Sequence, residues 1–86
     1  MYDIEVTVDG ETHTYAVSPK VIFAFEEHFK IGFIQALTKE QRMQHVYWIG
    51  WECSRSAGVV VKPFTQWLDS LQRCKLVLGK DDDQET

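Results

Sequence analysis

Long apolar runs, a surplus of basic charge and a set of several cysteines are all missing from this chain of 86 residues. Its longest apolar stretches, 21–25 and 58–61, fall far short of the ~20 residues that a membrane span needs. Cys53 and Cys74 can pair only once, whereas a disulfide-built domain of this size usually carries more bridges. Two free thiols in a reducing cytoplasm are therefore expected. Met1-Tyr2-Asp3 opens the chain without the basic and apolar regions of a secretory signal. No repeats and no internal linker are visible. A chain this short builds one modest core, so a single domain over 1–80 is expected, and a multidomain enzyme is excluded.

What is present describes a folded protein. Hydrophobic residues make up 44% of the chain, aromatic residues 13% and charged residues 26%. The formal net charge is −4, and Asp81, Asp82, Asp83 and Glu85 account for all of it. Residues 1–80 are neutral and lack the long-range field that draws proteins to phosphate backbones. Residues 81–86 are expected to form a solvated, disordered acidic tail.

Residues 2–17 read as a β-hairpin. Tyr2, Ile4, Val6 and Val8 alternate with polar residues, and Asp9-Gly10 suits a two-residue type I′ turn. That turn sets Val8 opposite Glu11, Val6 opposite His13, Ile4 opposite Tyr15 and Tyr2 opposite Val17. One apolar face results, and it must rest on helices because a lone hairpin is marginal in water. Ser18-Pro19 opens a first helix, with Ser18 as N-cap and Pro19 at its first position. Ile22, Phe25 and Phe29 follow at helical spacing until Gly32 breaks the run. Phe33, Ile34 and Leu37 suggest a short helix or ordered connection.

Thr38-Lys39-Glu40-Gln41 has capping-box spacing, which predicts a helix from residue 39 to about 57 with Gly58 ending it in the left-handed conformation. Val59-Val60-Val61 fits either an extended connection or a third edge strand. Pro63 then opens a last helix in which Phe64, Trp67, Leu68 and Leu71 match the i, i+3, i+4, i+7 template. The expected fold class is α+β: an N-terminal hairpin followed by three to four packed helices.

Chemistry-bearing patterns are scarce. His45 and Cys53 lie eight residues apart, roughly 80° around a helix, and make no clean ligand pair; no metal site is expected. The serines sit in no nucleophile-elbow context, and Cys53 lacks a setting that would lower its pKa. Glu26-Glu27 reads as an exposed helical pair. No glycine pattern forms a phosphate loop, so no cofactor is expected either. The chain reads as a non-enzyme.

Aromatic residues carry the remaining information. Tyr47, Trp48 and Trp51 spread over more than one face of their helix, and Val46, Ile49 and Cys53 leave little of its circumference polar. Such a helix is either central in its core or half-covered by a partner. Three Trp, three Tyr and five Phe are many to hide in so thin a core. Trp and Tyr are enriched at binding hot spots, which makes some of them candidate anchors.

These segments together resemble a known family, the small tail assembly chaperones of long-tailed (siphovirus-type) bacteriophages. The likeness rests on the hairpin 4–15 with its Asp9-Gly10 turn and on Pro19-Lys20-Val21-Ile22-Phe23-Ala24-Phe25-Glu26. It continues through Val46-Tyr47-Trp48-Ile49-Gly50-Trp51-Glu52-Cys53 and Lys62-Pro63-Phe64-Thr65-Gln66-Trp67-Leu68, and covers nearly all of 2–76. The resemblance implies a non-catalytic protein of the host cytoplasm, absent from the mature virion. It would keep the tape measure protein, a long helical chain with apolar stripes, soluble until tail-tube subunits displace it. Self-association and a longer form made by ribosomal frameshifting, near Gly79-Lys80, are implied as well.

Helix-in-groove recognition by the last two helices is the expected mechanism. Trp48, Trp51, Phe64, Trp67 and Leu71 are the expected anchors, and the hairpin edge is a candidate for self-association by strand pairing. The alternative is a small phage-encoded regulator binding a host protein or nucleic acid. Base-stacking domains usually add a basic groove, which residues 1–80 lack.

Overall fold

In the computed structural model, the residues described are 2–59 and 62–78. Strand β1 (Tyr2–Val8) turns at Asp9 and Gly10 into β2 (Glu11–Ala16). Both turn residues take positive φ, 51° and 82°, as a type I′ turn requires. The expected register follows: Val8 faces Glu11, Val6 faces His13 and Ile4 faces Tyr15. Beyond it, the Val17 N–H donates to the Tyr2 carbonyl at 2.9 Å.

A third strand departs from the expected architecture. β3 (Leu71–Leu78) pairs antiparallel with the other edge of β1, giving the order β2-β1-β3. Leu71 therefore opens a strand and does not close the last helix. The physical reason lies in β1, whose second row of backbone donors and acceptors would otherwise be unpaired over a buried face. Cys74 and Leu76 sit opposite Val6 and Ile4 in this ladder. Gln72 is the extra residue at a bulge between Thr7 and Val8, and its Oε1 accepts the Gly10 N–H at 2.7 Å. The third strand thus clamps the hairpin turn from the side.

Helix α1 (Pro19–Phe29) starts as expected, with the Val21 N–H donating to Ser18 Oγ at 3.3 Å. It ends at Lys30, in the left-handed region at φ 57°, two residues before Gly32. Helix α2 (Phe33–Gln35) follows and runs on through a π-type segment, Ala36–Glu40, to Gln41 at φ 50°. Glu26 is no idle surface acid: its Oε2 accepts the Phe33 N–H at 2.8 Å and caps this second helix.

The expected capping box is absent. Thr38 lies inside the π-type segment, where its hydroxyl donates to the Ile34 carbonyl at 2.8 Å. The same spacing suits a hydroxyl bonded back to the preceding turn. Burial of Phe33 and Ala36 favours that outcome because it holds 33–40 helical. The next helix, α3 (Met43–Ser56), starts after Arg42, which is extended and makes no side-chain cap. Its end is as expected. Gly58 takes φ 90°, its N–H donates to the Arg55 carbonyl, and the Val59 N–H donates to the Ser54 carbonyl.

Helix α4 (Phe64–Ser70) follows Pro63, which serves as its N-cap. Residues 60 and 61, the boundary at 80 and the acidic tail 81–86 lie outside the described residues. No described helix is long and apolar enough to cross a membrane.

The core lies between the sheet and the helices. Ile4, Val6 and Cys74 from the sheet meet Val21 and Phe25 of α1, Ile49 and Cys53 of α3, and Trp67 of α4. α3 is central, packed on all three strands and on both α1 and α4. Gly50 is what lets it approach. A Cβ there would lie 2.8 Å from Cys74 Sγ and 3.2 Å from Val6 Cγ2. Gly50→Ala is expected to lower the urea unfolding free energy by about 1–3 kcal/mol, the usual cost of overpacking. Helix propensity returns about 1 kcal/mol of that loss, so a Gly50→Ala variant more stable than wild type would refute the close approach.

Candidate aromatic groove

α3 carries two apolar faces. Gly50 and Cys53 point to the sheet, whereas Gln44, Trp48, Trp51 and Arg55 fall on the far side at 100° per residue. That far side meets α1 and the start of α4 around an open groove of about 710 Å³. Phe29 and Trp48 stand with ring centroids 5.6 Å apart, Trp48 and Trp51 6.1 Å apart, and Trp51 and Phe64 5.6 Å apart. On the α1 wall, Phe23 is 66% exposed. The Trp51 indole is fixed, since its Nε1–H donates to the Lys62 carbonyl at 2.8 Å.

Polar groups sit around these rings. The His28 imidazole stacks on Trp48 at 5.0 Å and 17°. Arg55 places its guanidinium 4.9 Å from the Trp51 ring centroid, close enough for a cation–π contact. It also grips Glu52, with Nε to Oε1 at 3.1 Å and Nη2 to Oε2 at 3.5 Å. Glu27 lines the opposite wall on α1.

The five expected anchors do not form one surface. Trp48, Trp51 and Phe64 come together in the groove. Trp67 is buried in the core, touches Phe64 at 6.4 Å, and borders a separate hollow of about 520 Å³ under the hairpin. Leu71 lies in a third depression beside Tyr47 and Leu68. Beyond the last two helices, α1 supplies the other wall of this groove. One signal for it was legible: Phe23 is a large apolar side chain lying off the Ile22, Phe25, Phe29 stripe, and such a residue has no core to enter.

The chemistry available here is that of apolar contact. Burial pushes the Cys53 thiol up to about 12, with Glu52 adding to the effect. Burial likewise raises Cys74 to about 12, with Cys53 contributing. Neither thiol is ionised near neutral pH, so neither is an activated nucleophile. Among the described residues no group of three or more His, Cys, Asp and Glu is placed to hold a metal. No family model, curated protein or solved structure matches the chain.

The seam behind the groove holds a buried histidine. His45 lies edge-on to Phe25 at 5.3 Å and meets Phe29 at 4.7 Å, and its Nδ1 has no hydrogen-bond partner among the described residues. Burial lowers its pKa, Arg42 adds to the lowering, and Glu40 opposes it. The folded protein therefore keeps His45 neutral while the unfolded chain protonates below about 6.5. Its contribution to stability is complete above that pH and declines as pH falls from 6.5 toward the lowered folded value. Urea titrations at neutral and mildly acidic pH should show wild type losing more stability than His45→Phe. Equal losses would remove His45 from the acid response.

Proposed function

We propose that this chain is a tail assembly chaperone of a long-tailed bacteriophage, a non-catalytic protein that holds apolar helical segments of the tape measure protein. The observation that carries the reading is the open aromatic groove between α1, α3 and α4, with Phe23 exposed on its wall and Trp48, Trp51 and Phe64 along its length. Apolar burial is non-directional and roughly proportional to area. A groove of this kind accepts many apolar stripes with similar affinity and sets little demand on sequence. A chaperone that must cover a long chain needs that tolerance, together with contacts weak enough for tube subunits to displace it.

Action in the host cytoplasm and absence from the virion belong to the same proposal, as do self-association and a frameshift-extended product. Since β3 covers one edge of β1, the free edge of the hairpin is that of β2. It is the strand edge assigned to self-association.

The test is coexpression with a tape measure fragment that precipitates alone. Wild type should keep the fragment in the soluble fraction. Phe23→Asp removes an exposed ring from the groove wall without touching the core. It should fold with an unchanged thermal midpoint and bind the fragment at least tenfold more weakly, the loss of about 1.5–3 kcal/mol of apolar burial. A fragment that precipitates equally with and without the wild-type chain ends the chaperone reading. A Phe23→Asp variant that rescues fully moves the contact surface elsewhere. Steeply salt-dependent binding to nucleic acid would favour the regulator instead.

A further inference from the structure

The groove is apolar along its length but unequal at its two walls. Arg55 is the one lysine or arginine among its described lining residues, and it stands on the α3 side. The opposing α1 wall carries Glu27, whose side chain is 64% exposed. Beneath Arg55, the Glu52 carboxylate is only 12% exposed, whereas the guanidinium side chain is 51% exposed. The buried carboxylate and the Trp51 face hold the guanidinium in one place. Its grip on Glu52 uses Nε and Nη2, leaving Nη1 with no acceptor among the described residues.

A guanidinium fixed in this way has already lost most of its rotamer freedom, so presenting its remaining N–H groups to a ligand costs little further entropy. We infer that Arg55 is the polar recognition residue of the groove. The occupant that fits is an amphipathic helix whose apolar stripe is bordered by a carboxylate on the α3 side. On the other side Glu27 stands paired with Lys30 at 3.9 Å, and the described lining there holds no lysine or arginine. A carboxylate therefore gains only on the α3 side, and the helix is favoured in one direction. This inference rests on the groove reading proposed above and adds to it the chemistry of the partner.

Three fluorescent peptides of about 18 residues, five turns of helix, test it. They share one leucine stripe and carry Glu, Gln or Lys along one flank. Anisotropy titration of the intact protein should show the Glu peptide binding about two- to fivefold more tightly than the Gln peptide, the size of a solvent-exposed ion pair. The Lys peptide should bind no better than Gln. The Glu advantage should shrink at about 1 M salt, where the screening length is about 3 Å.

Arg55→Gln should erase the difference between Glu and Gln peptides, and Arg55→Lys should keep part of it, since the charge remains while the fork is lost. Should Arg55→Gln fail to fold, the wild-type ranking of the three peptides decides alone. Equal affinities, or a Lys peptide that binds best, would overturn the role of Arg55 and leave the groove intact as a binding site. Failure of all three peptides to bind would overturn both this inference and the groove reading.

Discussion

Everything in this domain is referred to the closeness of α3 to the sheet, and that closeness depends on the missing side chain at Gly50. With Cys74 Sγ 2.8 Å from where a Cβ would be, the helix rests against β1 and β3 at a distance few other residues would permit. Because α3 touches every strand and both α1 and α4, a displacement there moves all of them. The same seat fixes the opposite side of the helix. Trp48, Trp51 and Arg55 lie on the face away from Gly50, and the depth to which Gly50 sinks sets where the groove wall stands relative to α1 and α4. A helix apolar nearly all round is thus central in the core on one side and lines an open groove on the other.

Electrostatics shape the domain by staying out of its centre. The thiols of Cys53 and Cys74 remain protonated because burial penalises the thiolate, and His45 remains neutral for the same reason. Glu52 is the buried acid, and Arg55 accompanies it within hydrogen-bond distance. With its charges paired or suppressed inside, the α3 seam presents mainly apolar area to the groove. Arg55 is the exception, and it owes its position to the buried partner below it.

Local signals were legible where one residue type decides one backbone conformation. Asp9-Gly10 fixed the hairpin register through its turn, and Gly58 marked the end of α3 through its positive φ. Ser18-Pro19 marked the start of α1. Reading failed where a spacing had two solutions. Thr38 to Gln41 suits a cap or an interior hydroxyl, and the burial of Phe33 and Ala36, which no local pattern reports, selected the second. Leu71 fell on a helical stripe, yet pairing with β1 across the length of the chain drew it into a strand. Such non-local pairing leaves only a weak alternation, here Cys74 and Leu76, in the residues themselves. Among the proposed anchors, aromatic type did not tell whether a ring would line the groove, as those of Trp48, Trp51 and Phe64 do, or sit in the core, like that of Trp67.

A domain of this size has a thin core, and that couples the groove lining to stability. Trp48 is 6% exposed and touches Phe25, Phe29, His28 and Trp51, so it fills the core and lines the groove at once. Truncating it would thin the seam between α1 and α3 and would weaken any partner by a route that says nothing about contact. Phe23 is different. It is exposed, it belongs to no core contact on which α1 depends, and its only evident physical role is at the groove wall. It shares the groove lining with Arg55 and the rings of Trp48, Trp51 and Phe64, so it is the position where the groove's chemistry can change while the core stays as it is.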